Sequence, residues 1–224
     1  MTDDVRQPPL APARLVVLVS GEGSNMRALA GAAADPGFGA QIVAVGADRP
    51  CAGIDWAAGR GTPVFVHPLA PAAGAPSDRK AVRAQWDREL AERVAAFDPD
   101  LVVCAGFLKL LGPAFLGRFG GRILNTHNSL LPAFPGTHAP ADALAAGVRI
   151  TGATVFLVDS GTDTGAITAQ VAVPVADEDT VGSLLERIKA AERAQLVDIV
   201  GRMVRGGWTL RGRRVVVGER ERVS

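Results

Sequence analysis

The stretch Arg14-Leu-Val-Val-Leu-Val19, followed by Ser20-Gly21-Glu22-Gly23-Ser24-Asn25, decides how this chain is read. An unbroken apolar run with three valines, rather than an alternating one, predicts a strand buried on both faces, as in a parallel sheet. The glycine-rich turn then leads into a helical stretch from Asn25 to about Ala34. The same order recurs downstream. Gln41 to Val45 reads as a strand, Ile54 to Arg60 as a short helix, Pro63 to Val66 as a strand, Leu101 to Ala105 as a strand and Arg122 to Asn125 as another. Strands alternating with helices predict an α/β fold, a Rossmann-like open sheet with helices on both faces. Thr151 to Val158 and Ile167 to Val175 follow each other with only a short loop between them, so the sheet is expected to be mostly parallel but mixed.

The remaining segments fill in around this frame. Residues 68 to 76 are crowded with Pro and Ala and read as loop. Ser77 is the expected N-cap of a helix running to about Phe97, with Val82, Trp86, Leu90, Val94 and Phe97 as its apolar stripe. A helix is expected from about Leu108 to Phe119 and a short one from Pro140 to Ala146. A long amphipathic helix from Thr180 to about Met203 is expected to bury Val181, Leu184, Leu185, Ile188, Leu196, Ile199 and Met203. The segment 207–220 reads as two short strands around a turn. Residues 1 to 13, acidic and then proline-rich, read as a flexible tail, and residues 14–224 as a single domain without an internal repeat.

Composition narrows the class. The 224 residues are 48% hydrophobic and 21% charged, ample for a packed core and ordinary for a globular protein. Lys and Arg number 24 against 23 acidic residues, so a net charge of +1 offers no field to attract nucleic acid or an anionic membrane. There is no apolar run of membrane-spanning length. The N-terminus lacks the basic-then-apolar order of a secretion signal. Two cysteines, Cys51 and Cys104, show no C-x-x-C spacing, which argues against a disulfide framework and for a cytoplasmic setting. Small-molecule substrates are expected, with neither nucleic acid nor membrane as partner.

Two segments carry chemistry. The Ser20–Asn25 turn lies at the carboxyl end of a strand, where ligands bind in open α/β sheets. Its glycines admit a ligand close to the backbone, and the free amides of the helix N-terminus favour an anion such as a phosphate monoester. It lacks the third glycine of a dinucleotide fingerprint and the G-K-[ST] of a P-loop. A plain strand-to-helix turn is the competing reading. Asn125 and His127 leave a strand at the same edge, two residues apart and so on one face. An amide donor beside an imidazole can polarise a carbonyl and hold an oxyanion. Asp163, in a Gly-flanked loop, would favour the imidazolium if it reached His127. A packed or solvated imidazole is the bland alternative. His67, before Pro68, is given no role, and His138 is either a site-lining or a solvated residue.

Taken in order, VLVSGEGSN, AGFLKLL, LNTHNSLLPAFPG, TGATVFLVDSGTDTGAI and ERIKAAER resemble the folate-dependent formyltransferases, and within them the glycinamide ribonucleotide branch, from about Arg14 to Arg205. The resemblance implies the formyltransferase fold and transfer of the formyl group of 10-formyltetrahydrofolate to the amine of glycinamide ribonucleotide. It implies that Asn125, His127 and Asp163 are catalytic. It implies that Gly23, Ser24 and Asn25 hold the phosphate, with Lys189 and Glu192 contacting the ribonucleotide. Arg83, Leu108, Lys109, Leu110, Leu111 and Asn125 would line the folate site. Taken as bare residues, Lys189 and Glu192 read as a surface ion pair three apart on a helix. Leu108, Leu110 and Leu111 read equally as core, and Arg83 as a solvated base. The chain departs from the family at Asn128, where Pro usually follows the catalytic His, and at Lys109, where Arg is common. Lysine keeps the charge but not the planar fork.

The resemblance leaves rivals with their own signatures. Formyltetrahydrofolate deformylase would use the same trio without a phosphate site. It would carry an N-terminal domain, for which the 13 residues before the first strand are too few. Methionyl-tRNA formyltransferase would carry a C-terminal tRNA domain, for which the roughly 20 residues after the last helix are again too few. A non-catalytic phosphosugar-binding module would have no use for the trio. No metal is expected, for want of a ligand cluster. A monomer or a homodimer is compatible with the sequence.

Overall fold

In the computed structural model, residues 5–10, 12–69 and 78–218 are described. The elements in chain order are β1 (Val5–Gln7), β2 (Ala13–Val19), α1 (Ser24–Ala33), a 3-10 turn (Pro36–Phe38), β3 (Ala40–Ala47), α2 (Ala52–Ala58), β4 (Val64–Val66) and α3 (Arg79–Ala95). There follow β5 (Leu101–Cys104), α4 (Pro113–Phe119), β6 (Ile123–His127), α5 (Ala139–Ala145), β7 (Ile150–Leu157), β8 (Ala166–Pro174), α6 (Val181–Gly206), β9 (Trp208–Arg211) and β10 (Arg214–Val217).

Seven strands form one sheet in the order β4-β3-β2-β5-β6-β7-β8. The first five are mutually parallel, and β7 and β8 run antiparallel to their neighbours, as the two consecutive strand patterns predict. The uninterrupted apolar run of β2 has its reason in the packing. Leu15, Val17 and Val19 face a core shared with Met26 and Leu29 of α1 and Leu196, Ile199, Val200 and Met203 of α6. Val16 and Leu18 face a second core with Trp86, Leu90 and Val94 of α3 and Phe115 and Phe119 of α4. Both faces are dry, so a polar residue on either would leave unpaired groups among hydrocarbon. The chain builds outward from β2 to β3 and β4, then returns to the other side for β5 and β6. The reversal between β2 and β5 is the topological switch point, where a crevice opens beyond the carboxyl ends of the strands.

Several expectations are corrected. The stretch read as a tail contains β1, which pairs antiparallel with β9, and Leu10 N–H donates to the Val204 carbonyl at 2.7 Å. Edge pairing needs only backbone donors and acceptors, so no apolar pattern advertises it. Residues 1–4 and 11 lie outside the described residues. The segment 207–220 forms the expected two strands, β9 and β10, which with β1 make a second, three-stranded sheet. Ser77 also lies outside the described residues; α3 is capped by Asp78, whose carboxylate accepts from Lys80 N–H at 2.8 Å. On α6, Val181 is exposed and Leu185 only half-buried.

The largest correction bears on the site. The helix expected from Leu108 starts at Pro113, and residues 105–112 run irregularly along the crevice. Its start is fixed from behind. Asp87, buried on α3, accepts from Gly112 N–H at 2.6 Å, Ala114 N–H at 2.8 Å and Phe115 N–H at 3.2 Å. A side-chain carbon on Gly112 would stand 2.6 Å from that carboxylate. One carboxylate thus satisfies three helix-entry donors and pins the segment 105–112 to α3.

Asp87→Ala should strip those donors of their acceptor in a water-poor place and cost about 1–3 kcal/mol of folding free energy. Urea unfolding followed by circular dichroism checks this; a midpoint unchanged from the wild type would refute the capping role.

Candidate active site

The crevice is a cavity of about 580 Å³ lined by the strand ends and the loops that follow them. Its floor at β2 is the Gly21–Asn25 turn. Gly23 takes a φ of +71°, and a side chain there would stand 3.2 Å from the Cα of Gly53 on α2. Gly53 N–H in turn donates to the Gly21 carbonyl at 3.0 Å. Backbone of the turn therefore lies directly on backbone of α2, and glycine is required by both space and torsion. The first intrahelical bond of α1 runs from Arg27 N–H to the Gly23 carbonyl at 2.8 Å. The amides of the preceding first turn have no carbonyl behind them and make an anion-binding end.

Asn125 and His127 come from β6, with Asn128 just beyond, and all three line the cavity. His127 is buried, its ring Nε2 lying 2.8 Å from the Phe134 carbonyl. Its Nδ1 lies 3.6 Å from Asp163 Oδ2, too long for a hydrogen bond but well within the field of the carboxylate. The same Asp163 oxygen accepts from Gly136 N–H at 2.8 Å, so one carboxylate ties the 134–138 loop to the β7–β8 loop. Asp163 adopts a φ of +55°, a region where a non-glycine residue is held only by its surroundings. An oxygen acceptor therefore faces each ring nitrogen.

The segment after His127 is equally fixed. Ser129, fully buried, donates to the Ala133 carbonyl at 2.5 Å, and the Leu131–Pro132 peptide is cis. Thr154 on β7 donates to the Ser129 carbonyl at 2.7 Å and accepts from Leu131 N–H at 3.0 Å.

Lys189 and Glu192, expected to contact the ribonucleotide, are arranged differently from what their sequence spacing suggests. Lys189 pairs with Glu186 at 3.1 Å, not with Glu192. Glu192 is 5% exposed and turns inward. Its Oε1 accepts from Asn25 Nδ2 and, at 2.9 Å, from the Thr126 hydroxyl. Its Oε2 is buried without a partner. Burial raises the Glu192 carboxyl above its ordinary value of 4.5, outweighing those two hydrogen bonds and the nearby charges of His127 and Arg193, which act the other way. The side-chain amide of Asn25 is thus turned to Glu192 rather than held out at the helix end. The signal for a buried Glu192 was in the spacing: Ile188, Glu192 and Leu196 are four apart along the buried stripe of α6.

Of the residues expected to line a folate site, Leu108, Lys109 and Leu110 line the cavity, with Leu108 and Leu110 strongly exposed. Arg83 and Leu111 are not among its lining residues. Leu111 packs on the α3–α4 core, and Arg83 donates to the Leu110 carbonyl and lies over the Trp86 ring at 4.9 Å. Two residues that sequence reasoning missed support this loop. Ser20 Oγ accepts from Leu108 N–H at 2.9 Å. Asp48, buried at the end of β3, lies 2.8 Å from Arg49 and 3.5 Å from the Lys109 ammonium. Burial works to raise the Asp48 carboxyl, but the hydrogen bonds of Arg49 and Ser20 and the charges of Arg49 and Lys109 prevail and hold it below its ordinary value. No sequence signal marks the role of Asp48 toward this loop, since Lys109 is 61 residues away. His138 opens α5 without capping it through its side chain. His67 is buried in the α3 core, its Nε2 lying 3.0 Å from the Trp86 carbonyl.

The chain is similar to known proteins in both sequence and fold. A sequence model of the family described as formyl transferase matches residues 13–200. The phosphoribosylglycinamide formyltransferase of Mycobacterium tuberculosis is 52% identical over 220 residues, covering 98% of each chain. The trifunctional purine biosynthetic protein adenosine-3 of Homo sapiens is 39% identical over 183 residues, 80% of this chain and 17% of that much longer one. Among solved structures, glycinamide ribonucleotide transformylase 1 from Symbiobacterium toebii superposes with a TM-score of 0.83 at 36% identity, covering 92% of this chain and 94% of its own.

The buried carboxyl yields a prediction with a definite sign. A carboxyl raised by folding favours the native state while protonated and loses that advantage as pH rises through its native value. Glu192→Gln keeps the acceptor for Asn25 and Thr126 without the charge. The stability of the variant minus that of the wild type should therefore increase as pH rises from below 4.5 toward neutrality. Urea unfolding at pH 4 and pH 7.5 measures it, and a pH-independent difference would contradict the assignment.

Proposed function

The chain belongs to the formyl transferase family, and we propose that it moves the formyl group of 10-formyltetrahydrofolate to the amine of 5′-phosphoribosylglycinamide in de novo purine biosynthesis. The observation that carries this reading is convergence. The anion-binding end of α1 and the Asn125–His127 pair with Asp163 line one cavity, at the switch point of the sheet. A hydrolase passing formyl to water has no use for a phosphate site. A binding module has no use for the trio.

In this reading the substrate phosphate meets the Gly23, Ser24 and Asn25 amides, with Lys189 nearby, and Glu192 contacts the ribose. The folate lies along Leu108, Lys109 and Leu110, where the exposed apolar side chains of the two leucines offer cover to a flat ring. Arg83 and Leu111 act from outside the cavity, shaping that loop. The amine lone pair attacks the formyl carbon, and the carbonyl π electrons move onto oxygen to give a tetrahedral intermediate. The Asn125 amide and the Nδ1–H of charged His127 stabilise that oxyanion. The 3.6 Å gap to Asp163 leaves Nδ1 without a fixed bond, so its proton remains available to the substrate. Asp163 keeps the ring charged and oriented. Collapse expels the folate nitrogen, which gains one proton as the attacking nitrogen loses one. The residues described supply this chemistry from hydrogen-bond donors and a charged ring.

We further propose a cytoplasmic enzyme of small-molecule substrates, working as monomer or homodimer. No helix among the described residues is long and apolar enough to cross a membrane.

Release of tetrahydrofolate should depend on the ribonucleotide and match formylated product mole for mole. Rapid turnover in water alone would overturn the transferase reading in favour of the deformylase. In the same assay, Asp163→Asn should lower kcat by about 10²–10⁴-fold, the usual cost of losing such assistance. Ribonucleotide affinity should barely move, because the phosphate end lies at the Gly23 turn. Wild-type turnover in that variant would reduce Asp163 to a turn residue.

A further inference from the structure

Thr126 stands between the two residues proposed as catalytic, and strand alternation turns it away from them. Its hydroxyl reaches the opposite side of β6, where α1 and α6 meet. There it donates to Glu192 Oε1 at 2.9 Å, and Asn25 Nδ2 lies 3.4 Å from the same hydroxyl while donating to that same oxygen. All three side chains line the cavity. Two donors, one from a helix and one from the sheet, thus seize a single oxygen of a flexible side chain. The other, Oε2, is left buried with no protein partner. A buried unpaired carboxyl oxygen is costly on its own, and a ligand group able to share a proton with it removes the cost.

We propose that Thr126 is a positioning residue for the ribonucleotide: it fixes Glu192 so that Oε2, and only Oε2, is presented to a sugar hydroxyl. The proposal rests on the reading of the reaction given above. The phosphate end of α1 and Oε2 of Glu192 lie on one side of β6. A molecule carrying both a phosphate and hydroxyls engages both, whereas the folate lies along residues 108–110. The bond from Thr126 makes the carboxylate a preformed acceptor instead of one that must be ordered when the substrate arrives. Asn25 alone would leave the carboxylate free to rotate about one contact.

The test is Thr126→Val, which keeps the shape and removes the hydroxyl. Calorimetry with glycinamide ribonucleotide should show Kd raised about tenfold, the loss of one hydrogen bond to a charged group. In steady state the loss should lie in KM for the ribonucleotide, not in kcat or in KM for 10-formyltetrahydrofolate. Thr126→Ser should restore Kd to within about twofold of the wild type. If Thr126→Val does not fold, Thr126→Ala against Thr126→Ser makes the same comparison. An unchanged Kd in the hydroxyl-free variant overturns the proposal. So does a serine variant as weak as valine or alanine, or an equal loss for both substrates. A wild-type protein that binds no ribonucleotide overturns the reading of the reaction itself, which separates the two failures.

Discussion

Burial of both faces of the parallel sheet is the constraint on which the rest depends. β2 sends Leu15, Val17 and Val19 into one core and Val16 and Leu18 into the other. With hydrocarbon on each side, neither face of the strand can carry a functional group. Chemistry is forced to the strand ends, where chains leave the sheet and polar groups regain access to water and ligand. The Ser20–Asn25 turn, Asp48, the 105–112 segment and the Asn125–His127 pair are all found there, at or just beyond the carboxyl ends of β2, β3, β5 and β6.

A site built from strand ends is built from loops, and loops must be held by something other than a ladder. Here buried and half-buried carboxylates do much of that holding. Asp87 gathers three amides at the start of α4. Asp163 joins the 134–138 loop to the β7–β8 loop beside His127. Asp48 anchors Lys109, and Glu192 draws α1, β6 and α6 together. Each charge lies among donors, which offsets desolvation in proportion to how many it has. The four differ in a way that matters for function. Asp87 is held by the backbone amides of Gly112, Ala114 and Phe115, so it serves the scaffold. Glu192, which lines the cavity, keeps one buried oxygen without a protein partner.

Lys109 shows how the chain accommodates a departure from its family. An ammonium cannot make the planar two-pronged contact of a guanidinium. It lies 3.5 Å from Asp48, which also receives Arg49 and Ser20, and the Ser20 hydroxyl accepts from the adjacent Leu108 amide. Backbone and side chain of the 105–112 segment are therefore tethered to the ends of β2 and β3 at consecutive residues. Asn128, the other departure, follows a ring already fixed by Phe134 and Asp163 and precedes Ser129, itself fully buried. The rigidity a proline would supply there comes from hydrogen bonds.

The local periodicity of this sequence determined the α/β alternation, the parallel-then-mixed sheet, the helix after the Ser20–Asn25 turn and the pairing of Asn125 with His127 on one face. Those features depend on contacts within a few residues, or on whether a segment meets apolar surface on one side or two, and both leave a pattern in composition. Tertiary structure alone decided the rest. That residues 105–112 stay unwound depends on Asp87, 25 residues from Gly112. That β1 forms depends on an edge offered by β9 some 200 residues later, through backbone groups that every sequence possesses. Glu192 abandons the surface partner three residues away because folding brings Asn25 and Thr126, 167 and 66 residues distant, to its carboxylate. Hydrogen-bond donors carry no periodicity, so the sequence names the groups able to pair, and only the packing of strands against helices selects which of them meet.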